Sequence, residues 1–376
     1  MREINYSYID TTRIVAAFMV VLSHYAWFFN FEKLDFIYNG FAGNGLSNFV
    51  FMAVSGFLAA HSLYRNNNII LFYKSRLSRI VIPYFFTYIL LSFVFILLAC
   101  LNLKFLNHVA LTHIIFSGGS YKSFVLGMFP IDLNILHWFN LKPYIFIGEW
   151  FIGALVILYF LSPVFYFIIN KLKWKSLFIV LLLALIQNQY KFFNAYLFMN
   201  TAAFFWGYHI LDYFLGFLIY IYMPKAKINE KIVIGAILFV IFLFLFHIFY
   251  YSEPTFREKI GRNYFQYMFV GCSFTCMVFL LSKYLNEHFN LSKFNSFSKY
   301  SYCFLLMQHV IIYTVMDFFP SEKYSKFGAL FFFLLILFIT GFLAVKFTNY
   351  YKPYEDKIVE RIKKQYNKNK LKEVRL

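Results

Sequence analysis

Arg13 and His24 stand eleven positions apart in a long apolar run. It opens with Ile9-Asp10-Thr11-Thr12-Arg13-Ile14 and passes through Val20-Val21-Leu22-Ser23-His24. On an α-helix that spacing is three turns and about 20°, which puts both side chains on one face, about 16 Å apart along the axis. Ionisable groups inside an apolar spanning segment are costly and by default mark a pathway or a reaction site. An imidazole can act as a general base or as a nucleophile. A guanidinium matches phosphate oxygens with its forked N–H donors. Asp10, three residues before Arg13, lies on the same face and can pair with it. Structural roles compete for the same residues: Arg13 as an anchor that snorkels to the headgroups, His24 as an interhelical hydrogen bond. Sharing one face weakens that competing reading.

A second basic pair, Arg76-Leu77-Ser78-Arg79, precedes Pro83. It reads either as positive charge at a membrane face or as a phosphate clamp. With Arg13 it would place three arginines at one mouth, as a nucleotide-bearing donor such as coenzyme A requires. Glu149 and Trp150 open another apolar run, where Glu149 is either a solvated edge residue or an acid facing a cavity. Gln308 and His309 lie in the middle of a late apolar run, and Asp212 and Asp317 are isolated acids. Ser55-Gly56-Phe57 is read as close helix packing. The four cysteines, Cys100, Cys272, Cys276 and Cys303, have no ligand spacing for zinc and are read as packing residues, with no metal expected.

The elements that must hold these residues follow from composition. The 376 residues are 61% hydrophobic and 24% aromatic, with a mean hydropathy of +0.63. A soluble domain cannot hide that much apolar surface, so an all-α, polytopic membrane helix bundle is expected. Spans fall near 9–29, 46–64, 80–101, 144–169, 176–190, 203–223, 232–250, 264–284, 300–319 and 327–347. Basic residues follow each even-numbered span, among them Arg65 and Arg79, Lys171 and Lys175, Lys225 and Lys231, and Lys283 and Lys299. The positive-inside rule then puts both termini in the cytoplasm. Residues 1–347 form the membrane domain, and 348–376 read as a basic cytoplasmic tail, amphipathic or disordered. The net charge of +18 is explained by orientation and lipid contacts, so nucleic acid is not expected as a partner. The first span lacks a small-residue cleavage site and is expected to be retained. The longest outer loop, 102–143, carries His108, His113 and His137, and is expected to lie on the outer face over a site.

Five stretches in this order resemble the acyltransferase 3 family of integral membrane acyltransferases. They are Ile9-Asp10 with Arg13 and His24; the Ser55-Gly56-Phe57 segment; Arg76-x-x-Arg79 before Pro83; Trp150-Phe151 through Tyr159-Phe160-Leu161-Ser162-Pro163; and Ser301-Tyr302 with His309. Phe304 and Gln308 depart from the last pattern. The similarity runs from about residue 5 to 347. Some relatives have a paired-Glu motif and a fused esterase-like domain. Here Gly153-Ala154-Leu155 follows the Trp and no such domain is found, which favours direct modification of an acceptor at the membrane.

The resemblance implies transfer of an acyl group, most often acetyl, from cytoplasmic acyl-CoA to a sugar hydroxyl of a surface polysaccharide or its lipid-linked precursor. Arg13, Arg76 and Arg79 would hold the donor, and His24, Arg13 and Asp10 would form the catalytic group. Trp150, Glu149 and His309 would line the acceptor side. The location expected is a bacterial cytoplasmic membrane, with a homo-oligomer left open. The rival reading is a flippase or exporter of lipid-linked glycan, which uses intramembrane charges in a similar way.

Overall fold

The computed structural model describes residues 6–29, 46–66, 68–100, 121–130, 149–179, 181–182, 209–252, 264–319 and 325–373. Among these, every regular element is helical. The helices are α1 (Ser7–Phe29), α2 (Leu46–Asn66), α3 (Ile69–Cys100), α4 (Tyr121–Leu126) and α5 (Glu149–Leu172). They continue with α6 (Ile210–Tyr222), α7 (Glu230–Ser252), α8 (Tyr264–His288), α9 (Ser292–Asn295), α10 (Ser301–Phe318) and α11 (Lys326–Glu373). Short 3₁₀ turns follow α5 and α6, and a third, Ser296–Tyr300, joins α9 to α10. Among the described residues, five segments are long and apolar enough to cross a bilayer: Leu46–Arg65, Ile69–Val94, Phe151–Ile179, Phe269–His288 and Phe327–Tyr366. The spans expected near 176–190 and 203–223 are described only in part. Within the loop 102–143 only residues 121–130 are described, so His108, His113 and His137 lie outside the described residues.

Contacts divide the chain into two compact units. The first comprises Met1–Ala60, Phe165–Asn200 and Gly207–Ser301. Its core gathers Tyr8 and Ile9 of α1, Ala53, Val54 and Phe57 of α2, Ile219 of α6 and Phe279 of α8. Here α2 and α6 cross at backbone distance. A Cβ on Gly56 would run into the Tyr213 carbonyl, and one on Gly216 into the Ala53 carbonyl. Small residues at a crossing let two helices gain dispersion contacts that apolar lipid does not supply.

The second unit comprises His61–Val164, Thr201–Trp206 and Tyr302–Leu376. Its main contact is α3 against α11. One face of α11 carries the exposed Phe327, Phe331, Leu334, Phe338 and Phe342, while Phe332, Ile336, Thr340 and Ala344 on the other are buried. Steps of three and four residues keep each set on one side of a helix, and an apolar outer face is stable only against lipid.

The segment read as a tail continues α11 without a break, through Pro353 to Glu373. Tyr351, Glu355 and Val359, each four residues on, are buried. Phe86 of α3 stacks on Tyr351 and Tyr354 with ring centroids 6.5 and 6.2 Å away. Asn68 donates to the Tyr366 hydroxyl at 3.0 Å. Up to Tyr366 this stretch is therefore a packed part of its unit, with one face of the helix buried. From the loop, the buried hydroxyls of Tyr84 and Tyr88 donate to the carbonyls of Gly127 and Phe124 at 3.0 and 3.1 Å, tying α4 to α3.

Candidate active site

Asp10, Arg13 and His24 all lie on α1, which is unbroken between them, so the shared face and the axial spacing of about 16 Å hold. Arg13 Nη1 is 3.8 Å from Asp10 Oδ1. At that distance the pair is electrostatic, without a direct hydrogen bond. His24 Nδ1 lies 2.8 Å from the Val20 carbonyl oxygen, one turn earlier. A carbonyl can only accept, so Nδ1 carries the proton, and in the neutral imidazole Nε2 holds the lone pair. That is the form a general base or a nucleophile needs.

The first turn of α1 is fastened by polar side chains that sequence patterns did not single out. Ser298 Oγ donates to Asp10 Oδ1 at 2.7 Å, the oxygen that also faces Arg13. Beside it, three side chains close a ring. Asn286 Nδ2 donates to Thr11 Oγ1 at 2.7 Å, Thr11 donates to Asn295 Oδ1 at 2.6 Å, and Asn295 Nδ2 donates to Asn286 Oδ1 at 2.7 Å. Nearby, Lys283 of α8 reaches the Met223 and Ala226 carbonyls, each at 2.7 Å, and so closes the C-terminal end of α6. The bonds to Asp10 and Thr11 fix the first turn of α1, and with it the direction in which the face shared by Arg13 and His24 points. The signal available in the sequence was faint: polar residues at the ends of apolar runs, more than 270 positions from Thr11 in the case of Asn286 and Asn295.

In the second unit, Arg76 and Arg79 are three residues apart on α3, half-buried and exposed respectively. Arg79 Nη1 lies 3.7 Å from Glu355 Oε1. The same carboxylate takes a hydrogen bond from Lys352 Nζ at 2.7 Å, and its side chain is only 4% exposed. One buried carboxylate thus faces two cations, and Lys352 also pairs with Asp356 Oδ1 at 3.2 Å. His309 is buried on α10 with Tyr313 one turn away. Glu149 and Trp150 form the first turn of α5, and their side chains lie outside the described residues. Asp10, Arg13 and His24 belong to the first unit; Arg76, Arg79, Glu149, Trp150 and His309 belong to the second.

Asp212, read from sequence as an isolated acid, has a partner. His209 Nδ1 is 2.9 Å from Asp212 Oδ2 at the start of α6, and Asp212 is fully buried. The His209 partner escaped notice because it sits at the edge of an apolar run with no motif around it.

A family model described as an acyltransferase domain matches residues 6–348. No curated protein and no solved structure matches the chain. The match spans the described helices up to the first residues past the last apolar face, and takes in the Asp10–Arg13–His24 helix and the Arg76–Arg79 pair. Taken with the all-helical membrane architecture, it shows that the chain is a membrane acyltransferase of the acyltransferase 3 family.

Proposed function

We propose that this protein transfers an acyl group, acetyl in the first instance, from cytoplasmic acyl-CoA to a hydroxyl of a cell-surface polysaccharide or its lipid-linked precursor. The observation that carries this reading is α1 itself, with an Asp10-held guanidinium at one end and the Nε2 lone pair of His24 about 16 Å further along. That span suits a donor whose charged nucleotide stays at a basic face while a thin arm carries its thioester inward.

Arg13 binds a donor phosphate in this reading, and Arg76 and Arg79 of the second unit offer forked N–H donors of the same kind, which match phosphate oxygens. His24 either takes the acceptor proton or accepts the acyl group itself. Trp150, Glu149 and His309 are assigned to acceptor binding in this reading. The location is the cytoplasmic membrane of a bacterium, with both termini inside.

The test uses membranes carrying the protein, radiolabelled acetyl-CoA and envelope glycan. Wild type labels glycan. His24→Ala loses about 10²–10⁴-fold in transfer while retaining CoA binding, as expected for removal of an acid–base or nucleophilic group. Arg13→Ala weakens donor binding. Glycan export that persists while wild type consumes no acyl-CoA would favour the flippase reading.

A further inference from the structure

The stretch from Phe289 to Tyr300 contains α9 and the 3₁₀ turn Ser296–Tyr300. It buries polar residues and exposes aromatic ones. Asn295 and Ser298 are buried, whereas Phe289, Phe294 and Phe297 are 59%, 41% and 56% exposed. Both buried side chains are bonded to α1 or to its neighbour. Asn295 accepts from the Thr11 hydroxyl and donates to Asn286, and Ser298 donates to Asp10. In water the order of burial runs the other way, with Phe inside and Asn and Ser outside. Three phenylalanines turned outward on so short a stretch suit surroundings that are themselves apolar.

The place of this stretch in the chain says which surroundings those are. It directly follows Phe269–His288, a segment apolar enough to cross a bilayer. It therefore lies where a spanning helix ends, at the boundary of lipid and water. Aromatic rings collect at that boundary, and lysines there are drawn to anionic headgroups. Lys293 and Lys299 are both exposed, and residues 289–300 contain no Asp or Glu. Lys299 Nζ lies 4.8 Å above the Tyr300 ring, a cation–π distance that sets the charge against an aromatic edge. The nearby acids are engaged elsewhere. Glu287 faces Lys283 at 3.6 Å, and Asp10 faces Ser298 and Arg13.

We infer that the outer face of this stretch, formed by Phe289, Phe294 and Phe297 with Lys293 and Lys299, is a docking surface for anionic phospholipid. The rings enter the boundary between headgroups and acyl chains, and the two ammonium groups take the lipid phosphates. Phe294 and Asn295 are neighbours in sequence, as are Phe297 and Ser298. Each of these lipid-facing rings thus adjoins a residue bonded to α1, and the lipid surface lies next to the bonds that fix the first turn of that helix.

The test uses the full chain with a coumarin amino acid in place of Phe297, reconstituted in phosphatidylcholine bilayers. A small fraction of the lipid carries a nitroxide quencher high on one acyl chain. The quencher is on phosphatidylcholine in one sample and on phosphatidylglycerol in the other. Both lipids are expected to quench. Phosphatidylglycerol should quench as strongly as about fivefold more phosphatidylcholine, the factor that one lysine near an anionic surface contributes. Lys293→Gln combined with Lys299→Gln should make the two lipids equal and leave the phosphatidylcholine quenching in place. The same label in place of Phe294 repeats the measurement, and melting temperatures follow the folding of every variant. No quenching by either lipid at both positions overturns the inference and marks a face in water or one covered by protein. Unfolding of both labelled proteins overturns it as well, since the rings would then belong to the core. Equal quenching by the two lipids in the otherwise unchanged chain, or a preference that survives the double lysine variant, overturns the anionic-lipid assignment. So does a preference abolished by millimolar inorganic phosphate at constant ionic strength, which would mark a site for a soluble phosphate.

Discussion

Glu355 shows how much can depend on a single side chain outside any motif. It lies beyond the 6–348 family match, yet it is the carboxylate that Arg79 and Lys352 share. Glu355→Gln takes this counter-charge from Arg79 and leaves Lys352 paired with Asp356 alone. Because both cations are partly exposed, solvent screens part of the loss, and the cost expected is about 1–3 kcal/mol in stability. Arg79 would also become less ordered. In a donor titration the variant is expected to show a raised KM for acyl-CoA with little change in kcat, and no added effect in an Arg79→Ala background. Additive effects would mean that Glu355 does not act through Arg79. Ser298 stands in a similar relation to Asp10. Ser298→Ala is expected to loosen the Asp10–Arg13 pair, with Ser298→Thr restoring it, and donor KM is again the readout.

The relevant elements are the crossing of α2 with α6 and the anchoring of α1. Gly56 and Gly216 each face a backbone carbonyl of the other helix, which cannot rotate away as a side chain can. Gly56→Ala is therefore expected to force the helices apart and destabilise the protein by about 1–3 kcal/mol or more. Gly216→Ala should do the same. The double variant should cost less than the sum, because the first separation relieves the second clash. Thermal unfolding in detergent measures all three, and full additivity would show that the two contacts are independent. Gly235 and Gly341 have open space around them, so alanine there serves as the neutral control.

Over the whole molecule, the C-terminal stretch and the topology carry the predictions. A chain ended after Thr348 keeps the whole family match and loses Tyr351, Glu355 and the packing on Phe86. It is expected to be unstable or inactive, whereas one ended after Asn367 keeps those contacts and the Asn68–Tyr366 bond and should resemble wild type. Equal stability of the two would show that α11 past residue 348 is dispensable. The charge pattern predicts that reporters fused at either terminus report the cytoplasm. A reporter active outside at one end would mean an odd number of spans.

The helical membrane nature of this chain was legible in the sequence. Spans are set by local hydropathy, and local composition survives any packing. The pairing of Asp10 with Arg13 and the common face of Arg13 and His24 were legible for the same reason, since an unbroken helix fixes the spacing of its own residues. The Ser55-Gly56 packing reading was also local, and the structure supplies its partner, Tyr213 of α6. What the sequence left undecided depends on contacts between distant segments. The Thr11–Asn286–Asn295 ring, the Ser298 bond to Asp10, the Arg79–Glu355 pair and the packing of Tyr351 and Tyr354 on α3 join positions that no periodicity connects. The His209–Asp212 pair is close in sequence, yet only burial distinguishes it from an ordinary helix end. Tertiary structure decides these cases because a polar group removed from water must find a partner, and the sequence does not show which groups are removed.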